Sequence, residues 1–141
     1  IHMSSDSKDT VIAILKSNCT VVESLGNALK PYEISLQQFN VLRILRGQKG
    51  IPANLSTVQK RMINKMSNTT RIIDKLVEKN YVNRITCEKN RRKIELFITK
   101  EGLNILKSVD RIIDKTESQI TQNLSTKERR DLILLLNQIN L

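Results

Sequence analysis

The 141-residue sequence is poor in the side chains on which many catalytic and metal sites depend. Its one histidine, His2, lies in Ile1-His2-Met3, which we interpret as a cloning remnant ahead of a native start at Met3. Without a native histidine, Ser-His and Cys-His catalysis and histidine-ligated metals are excluded. The four glycines form no phosphate-binding loop, and the carboxylates show no metal-site spacing. We therefore predict neither an enzyme nor a bound cofactor or metal.

Cysteines, aromatic rings and long apolar runs are also scarce. Cys19 and Cys87 can close at most one bridge, so we expect reduced thiols in a cytoplasmic protein. With two Tyr, two Phe and no Trp, few rings can stack on unpaired bases, which argues against single-stranded nucleic acid as the ligand. Apolar runs such as Leu132 to Leu136 are too short to cross a membrane, and no secretion signal follows Met3.

Positive charge is concentrated in the middle of the chain. The formal net charge is +10 at pH 7, and residues 54–100 carry twelve basic and four acidic side chains. Residues 1–53 have a net charge of +2, and residues 101–141 have none. A basic segment between nearly neutral flanks is typical of a nucleic-acid contact surface, although a solvated surface of a basic protein has the same composition.

Periodic apolar residues predict helices in the first 80 residues. Steps of three and four predict an N-terminal helix over residues 10–30, ended by Pro31. Asn80 is expected to adopt the left-handed conformation that ends the helix before the hairpin. The starts of three further helices are expected where a capping side chain precedes an apolar pattern, at Ser35 (through a capping box), Asn54 and Asn64. The helix that starts at Asn64 is predicted to run to Lys79.

The pattern changes to strands after Asn80 and then returns to helices. Residues 82–88 and 94–98 alternate as strands do, and the polar residues 88–92 between them are typical of a turn. A long helix is predicted from Lys100 and a last one after a capping box at Ser125. The prediction is a mainly α protein with a small β-hairpin wing, that is, a winged helix-turn-helix with N- and C-terminal dimerisation helices.

The helix before the hairpin is predicted to have one polar and one apolar face. A helical wheel places Met66, Thr69, Ile72, Ile73, Leu76 and Val77 on the inner face. The outer face takes Ser67, Asn68, Arg71, Asp74, Lys75 and Glu78, with Thr70 on the flank. Asn can pair with adenine and Arg with guanine in a major groove, although an ordinary solvated face would show the same polar residues. Asp74 is expected to pair with an arginine, either Arg71, Arg84 or one in the hairpin.

The hairpin tip is the second candidate contact, because a mobile basic tip can enter a minor groove. A solvated turn is the alternative interpretation. The predicted DNA-binding residues are Lys65, Ser67, Asn68, Thr70, Arg71, Lys75, Arg84, Lys89, Arg91, Arg92 and Lys93.

These residues resemble those of the MarR family of bacterial winged-helix regulators. The run Ser67-Asn68-Thr69-Thr70-Arg71-Ile72-Ile73-Asp74-Lys75-Leu76 is similar to the family's S-T-V-T-R-L-V-D-R-L recognition helix. Asn90-Arg91-Arg92 resembles its D-R-R wing tip, and Ile98-Thr99-Lys100-Glu101-Gly102 resembles its L-T-E-K-G. Asn90 replaces the family's Asp, which puts a wing salt bridge from that position in doubt. Asn80 stands where the family usually has Gly.

The resemblance implies a homodimer on a pseudo-palindromic DNA duplex, whose binding a small-molecule effector or an oxidant weakens. The apolar first and last helices also favour a dimer, because they exceed what a small core can absorb, although both helices could instead complete the core of a single protomer. We expect dimerisation helices in residues 4–34 and 101–141 around a DNA-binding region in residues 35–100. A redox sensor that uses Cys19 is the alternative, although an inert Cys19 in a helix fits the sequence as well. The operator and the effector are not encoded in any motif.

Overall fold

A computed structural model describes residues 5–139, without the side chains of Cys87, Arg91 and Arg92, so the interpretation of residues 1–3 lies outside the described residues. The elements are α1 (Asp6–Leu29), a 3-10 turn (Lys30–Tyr32), α2 (Leu36–Gly47), α3 (Leu55–Arg61), α4 (Thr69–Glu78), β1 (Val82–Cys87), β2 (Asn90–Ile98), α5 (Lys100–Ile120) and α6 (Thr126–Asn137). This order confirms the predicted winged helix. No helix within residues 5–139 is long and apolar enough to span a bilayer.

Three of the predicted capping side chains start helices in the structure. The Ser35 hydroxyl accepts from the Gln38 N–H at 3.1 Å, and the Gln38 side chain accepts from the Ser35 N–H at 3.1 Å. Ser125 and Glu128 form the same reciprocal pair at the start of α6. The backbone of Ser125, and then its hydroxyl, hydrogen-bond the Glu128 carboxylate and lower its pKa. Asn54 caps α3 by accepting from the Thr57 N–H at 2.7 Å.

The prediction that Asn64 starts the fourth helix is wrong. Asn64 closes a local turn instead, because its side-chain oxygen accepts from the N–H of Met66 at 2.9 Å. Helix α4 begins at Thr69, and Asn68 caps it by accepting from the Arg71 N–H at 3.2 Å. Residues 64–68 are thus a non-helical turn that leads into α4.

Helix α4 ends as the sequence predicts. Asn80 is left-handed, with φ of 64°. The N–H of Tyr81 donates to the carbonyl of Leu76 at 2.9 Å, and the N–H of Asn80 donates to that of Val77 at 3.0 Å. These two bonds form a Schellman motif, which satisfies the last carbonyls and directs the chain into the hairpin.

The hairpin pairs β1 with β2 in antiparallel register, from Val82 opposite Ile98 to Cys87 opposite Asn90. The pairing is irregular between Thr86 and Cys87. Because β2 begins at Asn90, the predicted five-residue turn is wrong, and only Glu88 and Lys89 form the tip. Ala53 adds a bridge to Leu96, with N–H···O distances of 3.2 and 2.7 Å.

The chain divides into two compact units. One contains the described parts of Ile1–Ala28 and Ile112–Leu141, and the other is Leu29–Arg111. In the second unit, α2 packs on α3, α4 and β2, and α4 also contacts β1. The fully buried side chains of this unit include Leu29, Val41, Leu42, Val58, Met62, Ile73, Leu76, Val82, Leu96, Leu106 and Val109. Arg46 of α2 also pairs with Asp110 of α5 at 2.8 Å. This core supports the helices and the hairpin that carry the basic residues.

Gly102 lies where the backbone after the wing enters α5. A Cβ at this position would lie 2.4 Å from the Tyr81 carbonyl oxygen and 2.7 Å from Cγ1 of Ile98. The Tyr81 carbonyl already accepts from the Thr99 N–H at 3.0 Å, so it is held in place. Residue 102 therefore has no room for a side chain.

We predict that Gly102→Ala lowers the free energy of unfolding by about 1–3 kcal/mol, because the backbone must shift to admit a methyl group. Urea denaturation followed by circular dichroism measures the difference. Gly47→Ala is the matched control, since a Cβ at Gly47 meets nothing within 4 Å. Equal stability of Gly102→Ala and the parent would contradict the prediction.

Candidate nucleic-acid interface

The turn between α3 and α4 is held by side chains from two helices. Gln59 of α3 donates from its amide nitrogen to the Lys65 carbonyl at 2.9 Å, and its amide oxygen accepts from the Thr69 hydroxyl. Asn40 of α2 accepts from the N–H of Ile63 at 2.9 Å. These bonds fix where the first turn of α4 points. No pattern in the sequence predicts these roles of Gln59 and Asn40, because their partners lie between six and 23 residues away.

The two faces of α4 largely follow the helical wheel. Thr69, Ile73 and Leu76 are buried, whereas Asn68, Thr70, Arg71 and Lys75 are exposed. Since the buried residues pack into the unit, the polar side chains lie on the free surface of the helix.

The wheel fails at Met66 and Ser67. Met66 was placed on the inner face but is 91% exposed. Ser67 was placed on the outer face, but its hydroxyl oxygen is buried and has no partner among the described residues. Both errors have the same cause: residues 66 and 67 precede α4 and do not follow its 100° rotation.

The charged side chains on and around α4 differ in whether another residue of the chain binds them. Arg84 of β1 pairs with Asp74, which confirms the expected arginine partner. Lys75 lies 3.8 Å from Glu78, and the Lys65 ammonium folds back on the Lys60 carbonyl. Arg71 makes no ion pair with any residue that the structure describes. Its exposed guanidinium therefore remains available for an external anion or a base edge.

An open cleft of about 590 Å³ brings α4 and the start of α2 together. Its lining residues are Ser35, Gln37, Gln38, Asn64, Met66, Ser67, Asn68, Arg71, Ile72 and Lys75. The contribution of α2 is not predictable from the sequence, because the capping box at Ser35 indicates a helix start and nothing about neighbours in space. Exposed Gln37 is thereby added to the candidate contact residues.

The wing tip carries basic side chains in its turn and on β2. Lys89 in the turn and Lys93 on β2 are exposed. The predicted contacts of Arg91 and Arg92 depend on side chains that lie outside the described residues. Among the residues that are described, no group of three or more His, Cys, Asp and Glu side chains is placed to hold a metal.

Exposed apolar residues also lie on α1 and on α6. On α6, no residue is buried, and the exposed fractions rise to 64% at Leu134 and 60% at Leu135. On α1, Val11, Leu15 and Val22 are exposed, and Cys19 is an exposed free thiol. Cys19 therefore does not occupy a core position.

Two short helices joined by a fixed turn, followed by an antiparallel hairpin, define the second unit as a winged-helix module. The MarR family model matches residues 34–94, which include α2 to α4 and most of the hairpin. On this match, residues 34–94 are similar to the MarR family, and the fold of the second unit is a winged helix.

Solved structures with this fold extend over nearly the whole chain. A MarR-like transcription regulator from Bacillus cereus aligns with a TM-score of 0.85 at 21% identity. The alignment covers 96% of this chain and 99% of the Bacillus cereus chain. A cysteine-to-serine mutant of MarR from E. coli, complexed with operator DNA, has a TM-score of 0.84 at 22% identity and covers 98% and 100%. BpsR of Bordetella bronchiseptica, whose DNA binding is regulated by 6-hydroxynicotinic acid, has a TM-score of 0.85 at 17% identity and covers 98% and 97%.

Proposed function

We propose that this chain is a cytoplasmic, sequence-specific regulator that binds double-stranded DNA as a homodimer on a pseudo-palindromic operator. One observation carries the proposal: Asn68, Arg71 and Lys75 line one open cleft at the start of a helix whose opposite face is buried. A recognition helix presents its N-terminal residues to base edges in the same way. The operator complex of E. coli MarR, which shares the fold, supports this function.

Most of the residues predicted from the sequence keep their place in the proposed interface. Asn68, Thr70, Arg71 and Lys75 would enter the major groove, whereas the basic wing would contact the flanking backbone and minor groove. The remaining proposed contacts are Lys65, Arg84, Lys89, Arg91, Arg92 and Lys93. Ser67 is not among them, because its hydroxyl oxygen is buried.

The homodimer is proposed from the exposed apolar surfaces of α1 and α6. Five consecutive apolar residues, Leu132 to Leu136, are exposed on a helix that has no buried residue. Exposed apolar surface of this kind marks an interaction site, and a two-fold interface would pair it with itself. We accordingly assign residues 4–34 and 101–141 to dimerisation and residues 35–100 to DNA binding.

We further propose that a small-molecule effector modulates DNA binding, as 6-hydroxynicotinic acid does in BpsR. The redox alternative stays a prediction. Exposure of Cys19 makes it accessible to an oxidant, but accessibility alone does not lower the pKa of a thiol.

Selection of binding sites from a random duplex library tests the DNA-binding proposal directly. The full chain should enrich an inverted repeat with half-sites about one helical turn apart, because each protomer presents one recognition helix. Fluorescence anisotropy on the selected duplex and on a scrambled duplex then gives the specificity ratio. If no sequence is enriched, or if the selected and the scrambled duplex bind equally, the proposed function is wrong.

We predict that Arg71→Ala relaxes base preference. A bidentate arginine–guanine contact is worth about 1–3 kcal/mol of discrimination, so affinity for the selected duplex should fall by about 5–150-fold for each half-site of the dimer. Affinity for scrambled DNA should change much less. Lys93→Ala is the matched control, because loss of a phosphate contact weakens binding to both duplexes by a similar factor. If Arg71→Ala also lowers both affinities equally, Arg71 contacts only the backbone.

A further inference from the structure

Met66 is the most exposed large apolar side chain in the described chain, at 91%. It is held in an ordered turn: its N–H donates to the Asn64 side-chain oxygen at 2.9 Å, and the next N–H, of Ser67, donates to the Asn64 carbonyl at 3.1 Å. The Gln59 bond to the preceding carbonyl, of Lys65, fixes the other side of the residue. The turn thus presents a thioether side chain to solvent in a defined place.

Met66 shares its surroundings with the proposed base-reading residues. It lines the same cleft as Asn68, Arg71 and Lys75. Ile63, which is 85% exposed in the same connection between α3 and α4, does not line this cleft. A duplex that places a base edge against Arg71 would therefore also contact the side chain of Met66, which lies in the turn before α4.

The chemistry of a major groove restricts what an apolar side chain can contact there. Phosphates and most base-edge atoms are polar, and the thymine C5-methyl is the apolar group that the groove presents. A methionine side chain is unbranched and polarisable, so it adapts its shape to such a group. The basic neighbours Arg71 and Lys75 fit a nucleic acid as the occupant of this surface and disfavour an apolar protein partner.

We propose that Met66 is a specificity residue that contacts the C5-methyl group of a thymine in each half-site. The proposal rests on the proposed DNA-binding function and refines it: beside any guanine read by Arg71, each half-site would contain a thymine read by its methyl group alone. Contact with this methyl would favour thymine over cytosine at one position without a hydrogen bond.

A thymine-to-uracil scan of the selected operator tests the proposal, because uracil pairs as thymine does and lacks only the methyl group. At one symmetry-related thymine pair, the substitution should lower the affinity of the parent by roughly fourfold per half-site, the value for one buried methylene-sized group. In Met66→Ala the same substitution should have no effect, whereas Met66→Leu, which remains apolar, should retain most of the loss. Ile63→Ala, the matched exposed control, should show the full loss.

The scan separates failure of this inference from failure of the proposed function. If no duplex is selected at all, the proposed sequence-specific DNA binding is wrong. If a duplex is selected but no uracil position loses its effect in Met66→Ala, the methyl contact is overturned and DNA binding stands. An effect that disappears in Ile63→Ala and persists in Met66→Ala would likewise overturn the assignment to Met66. Because Met66 packs on little of the chain, Met66→Ala should keep the fold, which circular dichroism checks.

Discussion

Raising the salt concentration from about 50 mM to about 200 mM should lower the affinity for the selected duplex by about 10³–10⁵, if the dimer makes six to ten phosphate contacts. The physical reason is counterion release: each phosphate that a Lys or Arg neutralises frees condensed cations, and added salt opposes that release. Residues 54–100 supply twelve basic side chains per protomer, so this number of contacts is available to a dimer. Anisotropy titrations at four or five salt concentrations give the slope of log affinity against log salt.

A matched pair of variants locates the source of this slope. Lys89→Ala with Lys93→Ala should reduce its magnitude by about two contacts per protomer, at about 0.9 per contact. Lys107→Ala with Lys115→Ala removes the same charge from α5, outside the basic segment, and should leave the slope unchanged. Little dependence on salt in the parent, or equal changes in both pairs, would contradict the proposed surface.

The sequence predicted the elements whose signals are local. Helix starts at Ser35, Asn54 and Ser125 depend on a side chain three residues from its backbone partner, and the left-handed Asn80 depends on one residue's tolerance of positive φ. Periodicity then assigned the helices and the hairpin. Each of these signals involves residues only a few positions apart, so the elements can be predicted without knowing which residues meet in the fold.

The errors arise where two local signals compete. Asn64 and Asn68 are both acceptable caps. In the structure Asn64 closes a turn, and bonds from Gln59 and Asn40 hold the connection in this non-helical form. The helical wheel treats residues 66 and 67 as part of α4, so it assigns Met66 to the buried face and the Ser67 hydroxyl to the exposed face. The structure shows the reverse. The contribution of α2 to the cleft was missed for a similar reason, since the α2 start and Arg71 are more than 30 residues apart in sequence.

The exposed apolar residues of α6 should control dimerisation, and through it operator affinity. Leu134 and Leu135 are more than half exposed in the chain. If they are buried between two protomers, carboxylates in their place would be desolvated without partners, which costs several kcal/mol per group. A protomer that cannot dimerise holds only one recognition helix and one half-site. Operator affinity would then fall towards the non-specific level, which lies about 10³–10⁷ below specific binding.

We therefore predict that the double variant Leu134→Asp, Leu135→Asp is monomeric at micromolar concentration in sedimentation velocity and loses at least about 10³ in operator affinity. The winged-helix unit should persist, because its core contains no α6 residue; retained circular dichroism would show this. Thr126→Asp is the control: it adds a negative charge to the same helix at its N-terminus, where the helix dipole favours it, and removes no apolar surface. Should the double variant still sediment as a dimer, or should a folded monomer bind the operator as tightly as the parent, α6 would not be the dimer contact on which operator binding depends.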